Sequence, residues 1–259
     1  MSIITALTDF GGRDPYVGVM KGIMLAINRR AQIVDITHEV DAQDVTEASF
    51  LIGEYFPHFP LGTIHLCVVD PTVGSARKAL IAVKDGHVFV GPDNGIFSLL
   101  FREGETRTYE IANGRFMAHA VSATFHGRDV FAPAAAHLSC GIGPPEFGPL
   151  VRAPLTLSGL LPTIEDDALT GRIVRFDRFG NAISNIAFDF FKDFVHDGPF
   201  TIELSSLAFQ SLNRSYYEGP HTCLVGSSGY LEFGLFMGNL ARDLGMRKGE
   251  KVRVRRRLP

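Results

Sequence analysis

Short apolar runs alternate with longer amphipathic stretches through the first half of the chain. Residues 3–7, Ile-Ile-Thr-Ala-Leu, read as a strand, followed by an acidic, glycine-rich turn and a helical stretch over 16–27. Asp14 and Pro15 mark the start of that helix: a capping carboxylate, then a proline at the first helical position, where a missing N–H costs nothing. Residues 33–37 predict a second strand, Asp44 caps a helix running through Phe50 to about residue 56, and residues 63–69 form a third strand that ends at Asp70. Strand, helix, strand, helix, strand predicts a mostly parallel sheet covered by helices.

Two further strands, about 79–83 and 88–90, flank Asp85-Gly86, which fits a tight hairpin. Helices are expected over about 96–101 and 128–140, with Pro133 in the first turns of the second or kinking it. Glycine and proline then accumulate over 141–170, as in Gly143-Pro144-Pro145, Pro149, Pro154 and Pro162. Beyond them come short strand-like pieces at 172–176, 182–186, 200–204, 222–225, 230–233 and 251–254, the material of an antiparallel β-barrel. The expected fold is therefore an α/β N-terminal domain over 1–150, a linker over 151–170 and a smaller C-terminal β-barrel domain over 171–259.

Composition supports two domains: 259 residues with 46% apolar and 20% charged positions leave ample material for cores and no case for disorder. The net charge is −3, and the basic run from Arg253 to Arg257, with Val254 inside it, reads as a solvated end, so nucleic acid is not an expected partner. Cys67, Cys140 and Cys223 are odd in number, widely spaced and set among apolar neighbours, a pattern of reduced, buried thiols in a cytoplasmic protein. Neither a signal segment at the start nor an apolar run long enough to span a membrane is recognisable, so no membrane association is expected.

In a parallel sheet with helical crossovers, ligands bind at the loops beyond the carboxyl ends of the strands. Three polar clusters fall there: Thr8-Asp9-Phe10-Gly11-Gly12-Arg13-Asp14, the Asp70 to Arg77 turn, and Thr124-Phe125-His126-Gly127-Arg128-Asp129. Asp9 suits a vicinal diol such as ribose, or equally a loop carboxylate bonded to nearby amides. Asp70 and Arg77 make either a site that aims spare guanidinium donors into a cleft or a structural ion pair. His126 is a functional imidazole or a satisfied core histidine. A divalent-metal site from Asp9, Asp14, Asp70, His126 and Asp129 lacks compact ligand spacing, and Arg77 would repel the cation, so no metal is expected. The glycines form neither a dinucleotide fingerprint nor a Walker loop. In the second half, Asp177-Arg178-Phe179-Gly180-Asn181 and Gly226-Ser227-Ser228-Gly229-Tyr230 are either ligand-reading loops or ordinary hairpin turns, with Asn181 offering the donor and acceptor that an adenine edge needs.

Taken in order, Thr-Asp-Phe-Gly, Asp-Pro-Thr-Val-Gly-Ser-x-Arg, Gly-Pro-Asp-Asn-Gly, Thr-Phe-His-Gly-Arg-Asp, Asp-Arg-Phe-Gly-Asn and Gly-Ser-Ser-Gly-Tyr resemble the motifs of the S-adenosylmethionine hydrolases, or hydroxide adenosyltransferases, which are related to the fluorinases and chlorinases. The resemblance runs from Thr8 to about Leu231. It implies hydrolysis of S-adenosylmethionine to adenosine and methionine without a cofactor, with Asp70, Arg77 and His126 positioning the water. It further implies that Asp9 holds the ribose hydroxyls, that Asp14 and Asp177 meet the methionine ammonium, and that Ser227 and Ser228 meet its carboxylate. Asn181, with Phe179 stacking nearby, would sit at adenine, and Asn94 counts among the substrate-binding residues. The family assembles as a homotrimer with the site between one subunit's N-terminal domain and a neighbour's C-terminal domain. A halide-using transferase and a non-catalytic adenosyl-binding protein are the alternatives. The Asp, Arg, His set and the short Lys84-Asp85-Gly86-His87 link, where fluorinases insert a long loop, favour water as nucleophile. The sequence departs from the family pattern at Tyr16 and from Glu232 to Asn239, next to the expected adenine contacts.

Overall fold

The computed structural model describes residues 2–102 and 104–257. The chain divides into two compact units, one up to Ser158 and one from Gly159 onward.

The first unit contains β1 (Ile3–Thr8), α1 (Tyr16–Ile27), β2 (Gln32–Thr37), α2 (Val45–Tyr55), β3 (Ile64–Val68), β4 (Ala79–Lys84), β5 (His87–Pro92), β6 (Arg107–Glu110) and α3 (Ala132–Ser139). They build one sheet in the order β2-β1-β3-β5-β4-β6, in which β2, β1, β3 and β5 are parallel and β4 runs against both of its neighbours. Alternate side chains feed opposite faces. Ile4, Leu66, Val68 and Ile81 pack with Met20 and Met24 of α1 and the alanines of α3, whereas Leu7, Cys67, Val69 and Leu80 pack with Ala48 and Ile52 of α2. Burial on both faces explains why these strands read as apolar runs and not as alternating patterns.

Local chemistry accounts for most boundaries. Asp44 caps α2, its carboxylate accepting from the Glu47 N–H at 2.8 Å. Asp85 (φ 49°) and Gly86 (φ 76°) turn β4 into β5 through the left-handed region that a two-residue hairpin requires. Asp14, in contrast, does not cap α1: the first helical carbonyl belongs to Pro15, so the capping position moves one residue past the carboxylate. Residues 96–101 are successive turns and not a helix. Their amides reach back three residues, as from Ser98 to Gly95 and from Leu100 to Phe97, because Ile96, Phe97 and Leu100 are each drawn into the core. The helix expected over 128–140 is α3 preceded by a π-helical turn, Gly127–Phe131. Pro133 sits in the first turn of α3 and offers no N–H to the Asp129 carbonyl, which accepts from Ala118 N at 2.7 Å instead. Cys67 and Cys223 are buried as expected, but Cys140 is exposed, because α3 ends there and turns outward.

The second unit contains β7 (Thr163–Glu165), β8 (Ala168–Phe176), β9 (Ala182–Ala187), α4 (Phe188–Val195), β10 (Phe200–Leu204), β11 (Leu207–Phe209), β12 (His221–Val225), β13 (Tyr230–Leu235), α5 (Leu240–Asp243) and β14 (Lys251–Arg256). Its antiparallel, barrel-like sheet runs β11-β10-β14-β8-β9-β13-β12, with β7 alongside β8. The segment after β11 reaches the far edge through a bridge from Asn213 to Leu224 of β12, so the sheet nearly closes. Leu169, Ile173, Ile186, Phe233, Val252 and Val254 fill its interior. Of residues 151–170, the first part bonds to the first unit, with Val151 N donating to Thr108 O and Leu155 N to Asp93 Oδ1, whereas 163–170 already form β7 and the start of β8. Among the described residues, no helix is long and apolar enough to cross a membrane.

Candidate active site

β3 leads through Val69 directly into Asp70, and the turn that follows returns Arg77 to it. Arg77 Nε donates to both Asp70 oxygens at 3.1 and 2.9 Å, and Nη2 adds a short bond to Asp70 Oδ2. The same Nη2 donates to His126 Nδ1 at 2.8 Å, so the guanidinium bridges carboxylate and imidazole. Both ion-pair side chains are only 5% exposed, and the guanidinium lies over the buried Phe131 ring, 5.2 Å from its centroid. Gly74 makes this approach feasible: at φ 79° its Cα faces the Ala123 carbonyl, and a Cβ there would lie 2.2 Å from that oxygen. No larger residue lets the 70–77 turn close against the loop that carries His126.

A guanidinium can only donate, so Nδ1 of His126 is the acceptor and the neutral ring carries its proton on Nε2. Burial pushes the His126 pKa down, the nearby Arg77 charge pushes it further, and Asp70 and Asp129 oppose both. The guanidinium occupies the place a metal would need between Asp70 and His126. Elsewhere, Asp41, Asp44 and Glu47 bring ligand atoms within 4.8 Å of one another, but Asp44 caps α2 and Glu47 accepts from the Asp41 N–H.

Asp9 follows β1, the parallel neighbour of β3, at the same end of the sheet as Asp70. One of its oxygens accepts from Gln43 N at 2.8 Å, so the carboxylate is a loop brace with a second oxygen to spare. Phe10, Tyr16 and Phe125 form an edge-to-face trio beside it, with centroids 5.1 to 6.1 Å apart. Asp14 is exposed on the same loop. The Asn94 amide is spent on the backbone, donating to Val69 O at 2.8 Å and accepting from Ile96 N, so it fixes the end of β3 next to Asp70.

In the second unit, Asp177 builds the turn between β8 and β9: it accepts from Phe179 N, Asn181 N and Asn181 Nδ2 at 2.8 to 2.9 Å. That holds Asn181, which is buried, with its amide nitrogen toward Asp177, and leaves Phe179 73% exposed at the turn's tip. Ser227 and Ser228 lie in the β12–β13 hairpin, closed by Gly226 N on Tyr230 O. β13 pairs with β9 between these two turns, from Tyr230 to Phe233, so the turns lie at opposite ends of that pairing. Sequence reasoning missed the Tyr216 hydroxyl donating to Glu232; burial first, and then this contact, pushes the Tyr216 pKa up. The signal was a glutamate set between Leu231 and Phe233 inside a strand.

Residues 4–148 match the SAM hydroxide adenosyltransferase N-terminal domain and residues 171–253 the corresponding C-terminal domain. The chain is 36% identical to an (R)-S-adenosyl-L-methionine hydrolase of Thermus thermophilus, over 96% of this chain and 97% of that one. It is 32% identical to one of Methanocaldococcus jannaschii, over 98% and 96%. A fluorinase of Actinopolyspora mzabensis matches at 25% identity over 98% and 97%. A crystal structure of a conserved protein from Thermotoga maritima has the same fold, with a TM-score of 0.89 at 32% identity over 98% of this chain and all of that one. With both of its halves matched in order, the chain belongs to the SAM hydroxide adenosyltransferase family.

Proposed function

We propose that this chain hydrolyses S-adenosyl-L-methionine to adenosine and L-methionine, by in-line attack of an oriented water or hydroxide on the ribose C5′. The observation that carries the reading is the hydrogen-bonded chain from Asp70 through Arg77 to His126. It ends in donors: the Nε2–H of a neutral His126 and an N–H on Arg77 Nη1. Such groups stabilise the lone pairs of a hydroxide and orient a water, but they do not accept a proton. The oxygen supplies the electron pair of the new C5′–O bond, the C5′–S pair leaves with sulfur as a neutral thioether, and one proton passes to solvent. The leaving group needs no acid, and cancelling the sulfonium charge is favoured where water is excluded, so no cofactor or metal is invoked. Positioning supplies most of the acceleration.

Asp9 holds the ribose hydroxyls through its spare oxygen, and Asp14 and Asp177 meet the methionine ammonium. Ser227 and Ser228 meet the carboxylate, and Asn181 with Phe179 meets adenine. The protein works as a cytoplasmic homotrimer, to be checked by light scattering as a mass three times that of the chain.

Incubation in chloride-free buffer with each sulfonium epimer, the (R) form first because the relatives are named for it, is expected to yield adenosine by chromatography. Binding without adenosine above the blank overturns hydrolysis in favour of a binding module. Formation of 5′-chloroadenosine on adding chloride points to a halide-using transferase instead.

A further inference from the structure

Asp129 is 3% exposed, and its amide, its carbonyl and one carboxylate oxygen each bond the stretch of eight residues before His126. Its amide donates to Phe125 O at 3.1 Å, and its carbonyl, released by Pro133, accepts from Ala118 N at 2.7 Å. Its carboxylate accepts from Ser122 N at 2.8 Å. Arg128 chelates both carboxylate oxygens at 2.7 and 2.9 Å and lays its guanidinium over the Phe125 ring, 5.3 Å from the centroid. The loop fastened in this way carries the Ala123 carbonyl that meets Gly74 of the Asp70–Arg77 turn. One buried residue therefore fixes the start, middle and end of the strap that presses the turn with Arg77 toward His126.

We propose that Asp129 is a positioning residue for the reaction: by bonding Ala118, Ser122 and Phe125 it sets the reach of loop 118–125, and through it the Arg77–His126 contact. The π-helical turn at Gly127–Phe131 belongs to the same device, because it offsets the register so that the Asp129 side chain points back under the loop. The proposal rests on the hydrolase reading for its kinetic consequence, but not for its structural one.

Two variants test it. Asp129→Ala removes the carboxylate, and Ser122→Pro removes the N–H that donates to it, together with the hydroxyl that bonds Thr124, from a half-buried loop position. The ring nitrogens of His126, read by 15N NMR, report the Arg77 contact without any turnover. Both variants are expected to replace the single Nε2–H tautomer with a mixture, and to lower kcat by roughly 10²-fold while KM shifts less than about threefold. If Asp129→Ala does not fold, Ser122→Pro decides alone. A change in the ring signature without the kcat loss, a kcat loss without the ring change, or neither in a folded variant overturns the proposal. A wild-type protein that forms no adenosine overturns the hydrolase reading instead, and the ring signature still judges Asp129.

Discussion

Arg77 spends two of its three nitrogens on Asp70 and one of those again on His126, which only a planar fork can do. Arg77→Lys keeps the charge but offers a point donor, and is expected to lower kcat by roughly 10²-fold with KM changed less than about threefold. His126→Ala should act alike, whereas Asp9→Ala should raise KM. Steady-state kinetics on all three check this, and wild-type turnover by His126→Ala removes the imidazole from the mechanism. Arg77→Ala is the poorer probe: it strands a buried carboxylate, at a cost of about 3–5 kcal/mol to stability, and confuses folding with catalysis. At this scale the sequence carried the residue types and their order, but left Asp70, Arg77 and His126 each with a bland alternative. The 2.8 Å bond from Arg77 to His126 spans 49 positions and has no local signature.

Among the elements, those ruled by neighbours in sequence were legible. α2 with its Asp44 cap and the Asp85-Gly86 hairpin are set by groups three residues or fewer apart. The turns at 96–101, the π-helical turn and helix α4 were not legible, since burial or a distant partner selects them. The two acidic helix starts give a direct comparison. Asp44→Ala is expected to cost about 1 kcal/mol in urea unfolding, whereas Asp14→Ala, which removes no cap, should stay within about 0.5 kcal/mol of wild type. Equal losses at both positions would show that the boundary of α1 is drawn wrongly.

For the whole molecule, the core of the first unit contains a polar thread: Thr5 Oγ1 meets His65 Nδ1 at 2.8 Å and His65 Nε2 meets His87 Nδ1 at 3.1 Å, across β1, β3 and β5. Burial, then the neighbouring His87, holds the His65 pKa at about 3, and burial lowers that of His87 against the pull of Asp85. Unfolded histidine takes its proton near pH 6.5, so from there down to about pH 3 the unfolded state binds more protons. Stability should therefore fall with falling pH, by up to about 1.4 kcal/mol per pH unit from His65. Urea midpoints between pH 7 and 4.5 should fall less steeply in His65→Gln, and an unchanged slope would remove His65 as the cause. The sequence by itself determined the two-part architecture, the sheet with covered faces and the ordered motifs that named the family, because periodicity and turn chemistry act over a few residues. Only the tertiary structure decided which of those polar residues meet one another. It bound Asn94 to the end of β3, made Asp129 the anchor of a strap and joined Arg77 to His126, because hydrogen bonds between distant loops depend on how the strands pack and not on what stands next to them.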